Sequence, residues 1–77
     1  MRFTAEELNT VLDYINAHAA NGVLFLEGYP AAGKEIGIRA GRVAAIFYFL
    51  CGEGRILQDG KLVLTLDDTP YSEDVSV

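Results

Sequence analysis

The chain has 77 residues, 51% of them hydrophobic, and a formal net charge of −5. That length allows one domain with a modest core, to whose stability partner subunits can add, and the apolar content is too high for a chain that stays unfolded. The acidic balance argues against a general polyanion binder, and the longest apolar run, Val43 to Cys51, is too short to span a membrane.

Residues Met1 to Glu7 lead into an acidic amphipathic pattern rather than a signal peptide, which predicts a cytoplasmic protein. Thr4-Ala5-Glu6-Glu7 has the form of a capping box, with the Thr4 hydroxyl on the Glu7 N–H and the Glu7 carboxylate reaching back, so a helix is predicted to begin there. Leu8, Val11, Leu12 and Ile15 then recur on one helical face, and Ala19 continues the stripe. Asn21-Gly22 supplies left-handed residues that are expected to end the helix, and His18 lies in its last turn, where the helix dipole favours a cation.

Val23-Leu24-Phe25-Leu26, bounded by Gly22 and Gly28, reads as a short strand. Gly28-Tyr29-Pro30 turns the chain into a short second helix over residues 31 to 36. A third helix runs from about Ala40 to Cys51 and stops at Gly52-Glu53-Gly54. Arg55-Ile56-Leu57 and Leu62 to Leu66 read as strands joined across Gln58-Asp59-Gly60-Lys61, with Asp-Gly at the tip as a type I′ hairpin signal. Residues 1–66 are therefore expected to form the domain. Residues 67–77 read as an acidic C-terminal tail, ordered only if something holds it.

The charge is segregated along the chain. Lys34, Arg39, Arg42, Arg55 and Lys61 lie between positions 34 and 61 with only Glu35, Glu53 and Asp59, which makes that segment +2 and the remainder −7. With one cysteine, Cys51, and one histidine, His18, no metal site is implied. No catalytic set emerges, since the paired acids Glu6-Glu7, Asp67-Asp68 and Glu73-Asp74 read as cap and solvated surface. Gly28 to Lys34 matches the start of the phosphate-binding pattern G-x-x-x-x-G-K-[ST], but Glu35 replaces the hydroxyl that would hold magnesium and sets a carboxylate beside the phosphates. No cofactor is expected.

The order helix, strand, helix, helix, hairpin resembles the winged helix-turn-helix family. Gly33-Lys34-Glu35-Ile36-Gly37-Ile38-Arg39 resembles the end of that family's second helix and the turn after it. Val43, Phe47, Leu50, Gly54 and Ile56 stand where the family's third helix and following strand carry Val, Leu, Leu, Gly and Ile, and Leu64-Thr65 resembles the close of its wing. The resemblance covers residues 30 to 66 closely and the first helix loosely. It implies an α+β fold of three helices with a short strand and a C-terminal β-hairpin wing. Two departures stand out: Arg39 occupies the position where Ser, Thr or Asp commonly caps the third helix, and Ala44, Ala45, Tyr48 and Phe49 fall on positions that are normally polar.

The resemblance further implies a DNA-binding transcription regulator with its third helix in the major groove and its wing on the backbone of double-stranded DNA. Arg39 and Arg42 would stand at the groove, with Lys34, Lys61 and Arg55 on phosphates. Few phosphate contacts per copy imply a homodimer, built through the first helix, the apolar strip or the tail. The residues also support an alternative, a winged-helix protein-interaction or oligomerisation module that does not bind DNA. Its basis is the net charge of −5, a wing with a single lysine, and the apolar interface offered by Ala45, Tyr48 and Phe49.

Overall fold

The computed structural model describes residues 1–77. Its elements are β1 (Arg2–Phe3), α1 (Ala5–His18), β2 (Val23–Phe25), α2 (Tyr29–Ile36), α3 (Ala40–Gly52), β3 (Ile56–Asp59), β4 (Leu62–Thr65) and β5 (Val75–Ser76). Three helices, a short strand and a C-terminal hairpin make the expected winged-helix-like α+β arrangement, with an antiparallel sheet in the order β2-β4-β3. No helix is long and apolar enough to cross a membrane.

The stripe predicted for α1 packs as the spacing requires, with Leu8, Val11, Leu12 and Ile15 all buried. Its start is only half a capping box. The Thr4 hydroxyl accepts the Glu7 N–H at 3.1 Å, but the Glu7 carboxylate turns away to accept from Arg42 Nε at 2.8 Å. The Ala5 N–H is instead capped by Asp74, at 2.9 Å from Oδ1. At the other end α1 stops at His18, before Asn21-Gly22. Asn21 (φ 55°) and Gly22 (φ 80°) form a two-residue turn across which Ala20 and Val23 exchange both backbone hydrogen bonds. Two positive φ values are the type I′ signature, so this Asn-Gly makes a tight turn into β2 rather than a helix stop.

Helix α2 begins two residues earlier than the sequence predicts, with Pro30 in its first turn. The stretch Gly28 to Lys34 is thereby helical from Tyr29 onward and is not a loop that could wrap a phosphate. Gly37 (φ 75°) then takes the left-handed conformation that reverses the chain, and the N–H groups of Gly37 and Ile38 both reach the Gly33 carbonyl, at 2.8 and 3.0 Å. Gly33 meets the start of α3 directly, because a Cβ there would overlap the Ile38 carbonyl oxygen and crowd the Ala40 nitrogen.

Helix α3 lacks a side-chain cap at Arg39, as the departure from the family pattern predicts. Val43, Ile46, Phe47 and Leu50 point into the core, where Tyr29 meets Phe47 edge-on at 5.4 Å. After α3, Ile56 enters the core on the sheet's inner face, which it shares with Leu24 and Val63. The wing turn differs from the expectation. Asp59 pairs with Leu62, so the two turn residues are Gly60 (φ 59°) and Lys61, and only the glycine has positive φ. That is the type II′ pattern, with β3 two residues longer toward the tip than the sequence suggests and β4 starting at Leu62 as expected.

The acidic segment after Thr65 is held along its length. The Arg55 guanidinium donates to the Thr69 carbonyl at 2.5 Å and lies over the Tyr71 ring at 4.3 Å, and Asn9 on α1 makes reciprocal bonds with the Tyr71 backbone at 2.7 and 2.9 Å. Tyr71 packs edge-on against Phe49, and its hydroxyl is buried without a partner, so burial pushes its pKa up. Asp74 then bonds Arg2, and β5 pairs antiparallel with β1. This second, two-stranded sheet brings Phe3 into the core, a burial the sequence reading did not foresee.

Two outcomes follow. In urea unfolding, Gly33→Ala is expected to cost at least about 1–3 kcal/mol through overpacking, whereas Gly41→Ala, at an open position on α3, is expected to be neutral or to stabilise by up to about 1 kcal/mol. The reverse order would mean that α2 does not approach α3 closely at Gly33. The second outcome concerns acid. The Thr69 N–H, with Arg55, holds the Asp67 carboxyl below the usual carboxylate range, and the Ala5 N–H, with Arg2, does the same for Asp74. Both carboxyls are lowered in the folded chain, so their anchoring is complete above the ordinary aspartate value and is lost as pH falls through the lower folded values. The Ala5 and Thr69 amide proton resonances should therefore titrate with midpoints below about 3.9, and a midpoint at or above it would rule out these anchors.

Candidate functional site

The five cations assigned to nucleic acid do not share one fate. Arg42, on the first turns of α3, places Nη2 2.6 Å and Nε 2.8 Å from Glu7 Oε1, donates also to the Arg2 carbonyl, and lies 4.8 Å over the Phe3 ring. All of its donors but one nitrogen face protein, and the pair is largely shielded, with 27% and 20% of the two side chains exposed. Arg55 is occupied in the same way by Tyr71, Thr69 and the Asp67 carboxylate, 3.9 Å away. Charge-assisted bonds of this kind must be broken before either guanidinium can grip a phosphate.

Lys34, Arg39 and Lys61 are exposed and form no ion pair. Lys34 projects from the last turn of α2, beside a Glu35 that is engaged by His18, 2.6 Å between Nε2 and Oε2. That contact ties the end of α1 to α2, while His18 stays exposed in the last turn of α1 as the sequence predicts. Lys61 sits at the wing tip with Nζ 5.9 Å from the centre of the Phe25 ring. Arg39 borders a hollow of about 360 Å³ with Met1, Gly41, Arg42 and Ala45.

The apolar strip on α3 divides as well. Tyr48 is 84% exposed, while Ala45 and Phe49 are half-buried against the core. Phe49 stacks 5.2 Å from Phe3, which β1 brings to it, and meets Tyr71 from the tail. The three residues nevertheless share one surface. Ala45, Tyr48 and Phe49 line an open apolar groove of about 460 Å³ together with Met1, Phe3 and Val77, with Glu53 at its margin. The contribution of Met1, Phe3 and Val77 is not legible in the sequence. The one available signal was the alternation of exposed and apolar residues at the two chain ends, too short at two residues each to read as strands.

The groove and the Arg39 hollow adjoin through Met1 and Ala45, so an apolar trough runs along the outward side of α3 toward a free arginine. Chemically, this surface can bury an apolar side chain and offer a cation to one carboxylate beside it. No group of three or more His, Cys, Asp or Glu side chains converges anywhere in the fold.

Replacing Arg42 tests its structural role. Arg42→Met is expected to lower stability by about 1–3 kcal/mol in chemical unfolding, since it leaves the shielded Glu7 carboxylate without its partner, and Glu7→Gln in the same chain should recover part of the loss. An unchanged unfolding midpoint for Arg42→Met would mean that the guanidinium is free at the surface. No family model matches the chain, and no curated protein or solved structure matches it.

Proposed function

We propose that this chain is a winged-helix interaction module whose third helix docks another protein, in preference to reading DNA. The observation that carries the proposal is the outward side of α3, where Tyr48 stands 84% exposed beside an apolar groove and Arg42 is turned inward onto Glu7. A helix that reads base edges needs polar, extended side chains on that side; this one offers Gly41, Ala45 and Tyr48. Exposed tyrosine beside an apolar hollow is the composition of interface anchors. The partner that fits is an amphipathic segment with an apolar side chain for the groove and a carboxylate for Arg39. The net charge of −5 disfavours nucleic acid in the same sense. A cytoplasmic setting belongs to this proposal and draws on the acidic amphipathic pattern of the first residues.

DNA binding is the second reading, and the unpaired Lys34, Arg39 and Lys61 favour it. It carries its own quantitative signature. Three phosphate contacts per copy give a slope of about −2.7 in log affinity against log salt, from about −0.9 per contact.

A photo-crosslinking residue at position 48, with one at the exposed Asp13 of α1 as control, separates the two readings in cells. Discrete protein adducts at position 48 and none at position 13 are the expected result. Adducts to nucleic acid, or no adduct at position 48, would overturn the proposal, as would duplex DNA binding with the slope above that weakens in Arg39→Ala.

A further inference from the structure

The sheet β2-β4-β3 has two apolar faces and covers only one of them. Leu24, Val63 and Ile56 face the core, while Val23, Phe25, Leu57, Leu62 and Leu64 stand on the opposite face, with Phe25 66% and Leu57 60% exposed. The strand register stacks Val23 beside Leu64 and Leu57, and Phe25 beside Leu62 and Asp59. Antiparallel strands with one wet face normally alternate apolar with polar residues, and near-continuous apolar runs belong to strands buried on both sides. Val23-Leu24-Phe25-Leu26 and Leu62-Val63-Leu64 are runs of the second kind.

We infer that this face is covered by the same face of a second copy of the chain, in a two-fold symmetric dimer that packs sheet on sheet and leaves the α3 groove free. Three observations select a second copy over another occupant. The first is shape. A two-fold interface requires one patch to carry both halves of each contact. Here a projecting aromatic, Phe25, lies beside a hollow of about 180 Å³ lined by Val23, Leu57, Leu62, Leu64 and Asp59. Phe25 is outside the hollow's own lining and free to enter that of its mate.

Charge is the second. Lys61 rests over the Phe25 ring, and Asp59 lines the hollow, so seating Phe25 in the opposite hollow carries Lys61 to Asp59 of the second copy. Neither residue has an ion-pair partner in its own chain. The symmetric arrangement makes that pair twice.

Area is the third. Together with Leu66, which continues the alternation beyond β4, the face exposes on the order of 550 Å² per copy, at the upper end of what a monomer leaves in one patch. Two copies that cover this face fully bury on the order of the roughly 1,000 Å² that a specific interface needs.

Sedimentation of the full chain up to about 100 μM, in the range where a modest interface is populated, tests the inference. A dimer is expected. Phe25→Ser should weaken it at least about tenfold, as loss of a central anchor does. Asp59→Lys or Lys61→Asp alone should weaken it about three- to fivefold, and the two together should restore it. Tyr48→Ser, on the α3 side, should leave it unchanged. All four positions are exposed, and circular dichroism checks folding; if Phe25→Ser is unfolded, Leu57→Lys takes its place. A monomer at the highest concentration, a dimer indifferent to Phe25→Ser, failure of the charge swap to restore association, or dissociation by Tyr48→Ser would each overturn the inference.

Discussion

The guanidinium of Arg42 stands where three parts of the chain meet. It bonds Glu7 at the start of α1, reaches the backbone of β1 at Arg2, and covers the ring of Phe3. Through that junction α3 is tied to the first helix and to the N-terminal strand at once. The position of β1 in turn sets that of β5, and Val77, the residue after β5, completes the groove beside Tyr48. A single ion pair between half-shielded partners therefore orients the outward side of α3 and withdraws from that side the cation it would otherwise present. Such a pair adds to order as much as to stability, because its geometry is satisfied in one arrangement of the three elements.

The same economy of size explains the rest of the surface. A chain of 77 residues buries a limited fraction of its area, and here fourteen side chains form the one core cluster. The remaining large apolar residues have nowhere inside to go. They collect in two places, along α3 and on the outer face of the wing sheet. Scattered singly, such residues would carry no meaning; gathered on two surfaces of one small domain they mark contact sites. The two sites lie on different elements, so occupation of one leaves the other open.

The C-terminal acids illustrate how composition misleads when it is read without position. Residues 67–77 have the low periodicity and negative charge of a tail, yet Asp74 accepts from the Ala5 N–H and the Arg2 guanidinium and so fastens the segment to the start of α1, while Asp67 accepts the Thr69 N–H within the segment and lies near Arg55. An aspartate that caps a helix start is favoured by the helix dipole as well as by the hydrogen bond. Asp74 does this for the Ala5 N–H from 69 residues away, a pairing that local spacing has no means to express.

What the sequence determined by itself are the features governed by contacts a few residues apart. The Thr4 cap, the stripe Leu8, Val11, Leu12 and Ile15, the reversal at Gly37 and the inward set Val43, Phe47 and Leu50 all follow from helical periodicity and from backbone conformations that only certain residues adopt. The wing was legible for the same reason, although its exact turn was not, because the tip register depends on which residue of β3 pairs with Leu62. Tertiary structure decided the destinations of the charges and of the chain ends. Arg42 reaches Glu7 across 35 residues and Asn9 reaches Tyr71 across 62, so whether an arginine meets a carboxylate or solvent was settled by where the elements cross. The basic residues were countable in the sequence; which of them remain free is a property of packing, since a charge is spent on the nearest partner that the fold brings to it.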